Sequence, residues 1–257
     1  MAKPRMWWPG IRRGHPLARG LVSLWPLWEG GGSQSMDIVG GRHMTHYNTP
    51  TWRGSEIGTS LLFDDASTEY LEDASTCGLS GLPLSMAAWV RPDAFVNGAV
   101  ISFGDTNANG WMELRLRDPA DNDVILFDRF SLAKTTSSYS LDIWQHVCAT
   151  IDAAGNGAVY LGGGNKGTNT GFAWNAGIDN TNIGRTSFNS TPIGYFSGGI
   201  SVPGIWNRGL SDAEVQELYE DPWGLITPRR RTCSYVTGAP ASGPGWWWGS
   251  GWREGAA

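Results

Sequence analysis

The chain has 257 residues, a formal net charge of −5 and only 17% charged residues, with 36 glycines and 15 tryptophans. This length fits one large all-β domain that buries its core without disulfides, and the mildly negative charge argues against nucleic acid as a direct partner. Cys77, Cys148 and Cys233 do not form a disulfide framework or a zinc-finger spacing, no signal peptide is visible, and no apolar run is long enough for membrane insertion.

The first 19 residues are basic and contain no acidic side chain. A basic segment in front of a neutral-to-acidic body is typical of an arm that docks on another surface, and the alternative is a solvated terminus that favours solubility. We predict that residues 1–19 form an N-terminal arm in which Arg12 and Arg13 contribute to assembly.

Between residues 20 and 207 many short strand candidates alternate with Gly-rich turns. In segment 111–117, Met112, Leu114 and Leu116 alternate with polar residues, which predicts an antiparallel strand with one face in solvent. In segment 143–152, Ile143 is predicted on the buried face. No strand–helix–strand pattern occurs, so we expect a sandwich or a barrel. The candidates are 20–30, 60–65, 68–73, 84–92, 98–104, 111–117, 123–128, 143–152, 157–164, 181–185 and 195–207.

One short helix is predicted after these strands. Ser211 followed by Glu214 is a capping box, and Leu210 can pack on Val215 as a hydrophobic staple. The helix ends before Pro222, because the residue in front of a proline avoids the helical conformation. A helix of this length is unstable alone in water, so it must pack on the strands.

Residues 226–257 are first basic and then rich in Gly and Trp. Gly, Pro and Ser favour a flexible arm, whereas tryptophan side chains need an apolar partner. Aromatic and Arg residues are enriched at the cores of protein interfaces, so we predict a second assembly arm. Its predicted contact residues are Arg229, Arg230, Arg231, Trp246, Trp247, Trp248 and Trp252.

The order of motifs resembles a known family. "GLVSLWPLWEG", "LLFDD", "LSMAAWVRP", "WQHVCATIDAAGNGAVYL", "TNIGR" and "YFSGGISVPGIWNRGLSDAEVQELY" follow one another, as in the laminin-G-like domains of the concanavalin A-like lectin/glucanase fold. The resemblance implies an all-β, antiparallel two-sheet jelly-roll sandwich at residues 20–225, with a short C-terminal helix and extended terminal arms. The ending "LYEDPWGLITPRRR" resembles versions of this domain in tailed-phage particle proteins. Family members usually carry an acidic residue where "YLGGGNKG" has only glycines.

An enzymatic role is not supported by the sequence. A glycosidase needs two carboxyl groups at a defined separation, and no strand offers closely spaced acids on one face. Glu113 is interpreted as a surface salt-bridge partner. His146 and Cys148 form a local pair in sequence, which is rarely catalytic, so we interpret both as buried structural residues.

Two kinds of ligand remain as hypotheses. Loop carboxylates are ligands that Ca²⁺ accepts, and the candidates are Asp37, Asp64 and Asp65, with turn capping as the alternative. Aromatic residues at strand ends among Asn, Gly and Ser are candidate platforms for sugars, with core packing as the alternative. These platforms are Trp52, Trp111, Trp174 and Tyr195.

The resemblance and the arms together predict a non-enzymatic structural protein of a phage virion, either a capsid decoration or a tail or fibre component, assembled in the host cytoplasm. We expect a homo-oligomer that contacts other virion subunits through its arms and turns its domain outward, toward host-surface glycans. The alternative is a stand-alone carbohydrate-binding lectin module, and a glycoside hydrolase is the third hypothesis.

Overall fold

The structure is a sandwich of two large antiparallel sheets, which confirms the predicted fold class. The computed structural model describes residues 10–108, 110–117, 123–188 and 191–227. Within these residues, Asp212–Glu220 forms an α-helix (α1) and Pro16–Ala18 a 3₁₀ turn. The strands are Gly10–Ile11 (β1), Leu21–Leu24 (β2), Gln34–Ser35 (β3), Met44–Tyr47 (β4), Thr51–Ser55 (β5), Gly58–Phe63 (β6), Tyr70–Asp73 (β7), Leu84–Pro92 (β8), Gly98–Gly104 (β9), Trp111–Leu116 (β10), Val124–Asp128 (β11), Leu132–Lys134 (β12), Gln145–Ile151 (β13), Gly157–Leu161 (β14), Asn165–Asn169 (β15), Asn180–Ile183 (β16), Thr186–Phe188 (β17), Thr191–Ile193 (β18), Gly198–Trp206 (β19) and Ile226–Thr227 (β20).

Each of the two large sheets contains eight strands. The front sheet has the spatial order β12–β11–β10–β9–β16–β7–β4–β3. The back sheet has the order β15–β14–β13–β8–β19–β6–β5, and β2 pairs with β19 beside it. Strands β17 and β18 form a separate hairpin, and β1 pairs with β20.

The main core lies between the two sheets. Side chains on a strand alternate between its two faces, so every second apolar residue points inward. Phe103 and Leu114 of the front sheet and Val90 and Val147 of the back sheet are fully buried in one cluster. The predicted alternation of segment 111–117 is confirmed for its apolar residues, because Met112, Leu114 and Leu116 all belong to this core.

A second apolar layer covers part of the outer face of the back sheet. Trp206 is 1% exposed and its indole Nε1 donates a hydrogen bond to the carbonyl oxygen of Leu17 at 2.7 Å. Val215 and Leu218 of α1 and Leu225 belong to the same cluster. The helix, the N-terminal segment and the segment after the helix therefore cover this part of the back sheet.

The predicted helix caps are confirmed. The Ser211 side chain accepts from the Glu214 backbone N–H, and the Glu214 side chain accepts from the Ser211 backbone N–H. Hydrogen bonding by the Arg208 guanidinium lowers the pKa of Glu214 to about 2, which keeps this carboxylate charged. Leu210 and Val215 are both buried in the second layer, as the staple requires. The helix thus depends on the sheet beneath it.

Both ends of the described chain lie side by side. Gly10 is paired with Thr227, and Leu17 is 1% exposed, so part of the predicted N-terminal arm packs on the domain. Arg12 and Arg13 have exposed side chains. Residues 1–9 and 228–257 join the domain at the same place. The remaining predicted assembly residues lie outside the described residues: Arg229, Arg230, Arg231, Trp246, Trp247, Trp248 and Trp252.

Two strand predictions were wrong in detail. The first long strand covers Leu21–Leu24 instead of 20–30, because Pro26 has no N–H to donate to a sheet ladder. Ile143 was predicted in the core but is 57% exposed. The backbone of Asp142 has a φ of 60°, a turn conformation, so regular alternation starts only at Gln145.

Candidate functional site

The outer face of the front sheet carries a continuous row of polar side chains. Thr45, Glu72, Asn182, Ser102 and Glu113 are direct neighbours on β4, β7, β16, β9 and β10. Each one follows or precedes an apolar residue of the main core, so strand alternation points all five away from that core. This face is the one on which the sheet can offer polar groups to a ligand.

The chain after β16 crosses half of this face. Ser102 Oγ donates to the carbonyl oxygen of Arg185 at 2.7 Å, and Thr186 Oγ1 donates to the carboxylate of Glu113. A Cβ atom at Gly104 would lie 1.9 Å from the carbonyl oxygen of Ser187, so only glycine allows this close approach. The segment covers β9 and β10 and leaves β7 and β4 open.

Three tyrosines and an arginine form a cluster at the open half, which we call the tyrosine patch: Tyr47, Tyr70, Tyr195 and Arg185. The rings of Tyr47 and Tyr70 stack with centroids 4.5 Å apart and planes 3° apart, and Tyr195 lies 6.3 Å from Tyr70. The Arg185 guanidinium carbon lies 3.4 Å from the Tyr70 ring centre, a cation–π contact. Tyr47 is 39% exposed. The patch therefore exposes the ring of Tyr47, which stacks on Tyr70, and Tyr70 is in turn held by Arg185.

A hydrogen-bond network fixes Arg185 under the patch. Its guanidinium forms an ion pair with Glu72, and its Nε donates to Asn182 Oδ1 at 3.0 Å. Asn182 Nδ2 in turn donates to Asn180 Oδ1 at 2.6 Å. The charges of Arg185 and Glu72 offset each other, so the patch is close to neutral. Burial raises the pKa of Tyr70, so its phenol stays protonated.

Glu113 is not the surface residue that the sequence predicts. Its side chain is fully buried because the Arg185–Ser187 segment covers it. Burial raises its pKa, and the Arg115 charge opposes this shift. Arg115 Nε lies 3.1 Å from Glu113 Oε1 but is aligned too poorly for a hydrogen bond. The strand alternation was predicted correctly, but the chain that crosses over it could not be foreseen.

Glu72 and Glu113 both lie on this face, but they are separated along the sheet and held by different partners. Three strand spacings separate them, which places their Cα atoms about 14 Å apart. In addition, Glu72 is held by Arg185. Each of the two carboxylates is thus engaged by a neighbouring side chain.

The structure does not bring the four predicted sugar platforms together. Trp52 and Trp174 are half-buried and pack against the main core, as in the alternative interpretation. Trp111 is half-buried and its ring lies 5.9 Å from that of Phe127. Only Tyr195 lies in the tyrosine patch.

Sequence reasoning missed the other members of the patch. Tyr70 was predicted only as part of the strand at 68–73, and Tyr47 lies outside every predicted strand. The period-2 spacing of Tyr70 and Glu72 in "TEYLED" does place the two side chains on one face. Nothing in the sequence placed Arg185 against them.

Two of the predicted calcium residues, Asp37 and Asp64, act as turn caps in this structure. Both carboxylate oxygens of Asp37 accept backbone N–H groups, including those of Leu24 at 3.0 Å and Val39 at 2.9 Å. Asp64 accepts from the Ala66 N–H and from Ser67 Oγ. Among the described residues, no group of three or more His, Cys, Asp or Glu side chains could hold a metal ion. Calcium binding by Asp37, Asp64 or Asp65 stays a prediction.

Within the described residues, none of the helical structure is long and apolar enough to cross a membrane. A family model described as the concanavalin A-like lectin/glucanases superfamily matches residues 65–216, more than half of the chain. A search of curated protein sequences found no significant match.

Several solved structures share the fold at low sequence identity. Domain 4 of AbnA, a GH43 extracellular arabinanase from Geobacillus stearothermophilus in complex with arabinotriose, aligns with a TM-score of 0.64 and 19% identity over 77% of this chain and 98% of that domain. Trypanosoma rangeli sialidase aligns with a TM-score of 0.60 and 15% identity over 81% of this chain and 34% of the sialidase. The botulinum neurotoxin serotype G binding domain aligns with a TM-score of 0.57 and 15% identity over 79% of this chain and 51% of that domain's chain. These likenesses establish the fold alone.

Proposed function

Because this chain belongs to the concanavalin A-like lectin/glucanase superfamily, we propose that it is a non-enzymatic carbohydrate-binding protein that forms part of a phage particle. The tyrosine patch binds the sugar, and the terminal segments hold the domain on other virion subunits. Two features support this proposal: the fold is used for carbohydrate binding, and the outer face of the front sheet is open at β7 and β4.

The observation that carries the proposal is the exposed aromatic surface on a charge-balanced polar face. The faces of aromatic rings are electron-rich, so they attract the weakly positive C–H groups on the apolar side of a sugar ring. Tyr47 offers such a face, and Thr45 and Gln34 lie beside it on β4 and β3 with groups that can bond hydroxyls. The Arg185 network keeps this surface rigid before binding, which limits the entropy lost on binding.

The particle role is supported by where the terminal segments leave the domain. Gly10 and Thr227 are paired beside the second apolar layer, on the outer side of the back sheet. The tyrosine patch lies on the opposite sheet. A domain held by both terminal segments would therefore turn the patch away from its support. The ending "LYEDPWGLITPRRR", which resembles phage particle proteins, is the sequence support for this role.

Removing the exposed ring of the patch should weaken the binding of the glycans that the tyrosine patch holds. We expect Tyr47→Ala in the full chain to weaken binding at least tenfold, as truncation of an aromatic anchor does in other interfaces. The measurement is a glycan array that carries neutral and acidic oligosaccharides, arabinotriose among them, because the arabinanase domain was solved with that trisaccharide.

Phe130→Ala is the matched control for Tyr47→Ala. Phe130 is 73% exposed and lies in the β11–β12 turn, at the far end of the front sheet from Tyr47. Its removal should leave every array signal unchanged. Equal binding by the wild type and Tyr47→Ala to all glycans would exclude the tyrosine patch as the site.

Removing the Trp-rich tail should prevent assembly. We expect deletion of residues 236–257 to convert a homo-oligomer into a monomer and to prevent incorporation into the particle, because four tryptophans lose their partner surface. Size-exclusion chromatography with light scattering gives the mass. Replacing the four tryptophans with serine at constant length is the control for chain length. A truncated protein with unchanged mass and normal incorporation would contradict the assembly role.

A further inference from the structure

A groove on the outer face of the back sheet, remote from the tyrosine patch, has the features of a second ligand site. Its volume is about 730 Å³, within the range of about 300–1,000 Å³ that small-molecule sites occupy. It lies on β5, β6, β8 and β19, next to the loop that precedes β13. We call it the Trp144 groove, and the residues used below are Arg53, Glu56, Arg91, Asp142, Trp144 and Gly199.

Register explains why these side chains meet. Leu62, Gly199 and Arg91 are direct neighbours on β6, β19 and β8. The residues next to them, such as Leu61 and Ile200, belong to the main core, so this row points outward. The glycine in the middle of the row leaves room above the sheet.

Trp144 occupies that room. A Cβ atom at position 199 would lie 2.9 Å from Cη2 of Trp144, so only glycine lets the ring rest on the strand backbone. The ring is half-buried and also lines the groove. Arg91 holds the loop in place, with Nη2 2.7 Å from Asp142 Oδ1 and Nε donating to the Asp142 carbonyl oxygen at 3.2 Å. The aromatic platform is thus supported from below and from the side.

Two charged groups at the groove are free to bind. The side chains of Arg53 and Glu56 are exposed and make no hydrogen bond or ion pair with any residue that the structure describes. Arg53 lies on the outer face of β5, opposite Ser60. A guanidinium supplies five donors and a carboxylate only acceptors, so together they can bond hydroxyl groups in both directions.

The charge balance selects the ligand class. Two arginines and two carboxylates give the groove no net charge, so neither an anion nor a cation is favoured by the local field. A ligand with an apolar face for Trp144 and many hydroxyl groups for the charged rim fits these features. We propose that the Trp144 groove binds a neutral oligosaccharide, as a second carbohydrate site independent of the tyrosine patch.

The groove and the chain termini lie on the same side of the domain, that of the back sheet. Access of a ligand to the groove therefore depends on how closely the terminal segments hold the domain to other virion subunits. The 18 residues at 228–245 separate Thr227 from the first tail tryptophan. Fully extended, such a segment reaches about 60 Å, which leaves space for an oligosaccharide under the domain. With ligand sites on both sheets, one domain could bridge two glycan chains.

The test uses a glycan array of neutral and acidic oligosaccharides, with full-length wild type, Arg53→Ala, Trp144→Phe and Tyr47→Ala. Among the described residues the Arg53 side chain has no hydrogen-bond or ion-pair partner, so its replacement should not disturb folding. We expect at least one neutral glycan whose binding falls tenfold or more in Arg53→Ala, since hydrogen bonds to charged groups have this strength. Binding of the same glycan should fall several-fold in Trp144→Phe, which has a smaller ring and no indole N–H. The same signal should stay within twofold in Tyr47→Ala.

Arg129→Ala is the control for loss of one exposed positive charge, because Arg129 lies in the β11–β12 turn and contacts only Phe130 among the interactions described. The neutral glycan with the strongest array signal is then titrated into the wild type. The indole N–H NMR signal that is absent in Trp144→Phe should shift during this titration. If no neutral glycan depends on Arg53 and Trp144, or if only acidic glycans do, the second site is refuted. Signals that depend on Tyr47 alone would leave the proposed function intact and remove only this inference.

Discussion

Trp206→Ala should lower the free energy of unfolding by about 3–5 kcal/mol, as removal of a buried aromatic side chain does. Trp206 is 1% exposed and links the back sheet to Leu17 through the 2.7 Å hydrogen bond from its indole. Its loss leaves a cavity in the second layer and an unpaired carbonyl group at Leu17. Urea unfolding followed by circular dichroism measures the change.

Two further variants test the reason for this effect. Trp206→Phe keeps most of the packing and should cost less than the alanine variant. Phe130→Ala removes a ring that is 73% exposed and should stay within about 0.5 kcal/mol of the wild type. A loss below about 1 kcal/mol for Trp206→Ala would show that the second layer contributes little to stability.

Acid should destabilise the protein well above the pKa range of carboxylates, because His146 is buried in its neutral form. Burial lowers the pKa of His146 from 6.5 to about 3. Below pH 6.5 the unfolded chain takes up a proton at this residue and the folded chain does not, so stability falls as the pH falls from 6.5 toward 3. At pH 5 this imidazole alone accounts for about 2 kcal/mol.

His146→Phe isolates this contribution. The variant keeps a ring at the site, and the Nδ1 atom that it removes has no hydrogen-bond partner among the described residues. We expect the loss of stability between pH 7.5 and pH 5, measured by urea unfolding, to shrink by about 2 kcal/mol. A smaller pH dependence should remain, because burial also lowers the pKa of His46 to about 4. Identical pH profiles for the wild type and the variant would contradict the assignment.

The binding residues were harder to predict than the fold. Tyr195 was predicted as a sugar platform and lies in the tyrosine patch. Trp144 was missed because "IWQHV" reads as the start of a strand at Ile143, whereas the strand begins two residues later, at Gln145. Its role depends on Gly199, which is distant in sequence and neighbours it only after β8, β13 and β19 have assembled.

Local sequence patterns predicted much of the local structure of this protein. Period-2 alternation specified which face of β10 is buried, and the Ser211–Glu214 pair specified where α1 begins, because strand pleating and helix capping depend on neighbouring residues. Which parts of the two outer faces stay open depends instead on contacts in the folded protein. The chain crossing that buries Glu113 and the layer around Trp206 that covers the back sheet join residues far apart in sequence, and local patterns carry no information about such contacts.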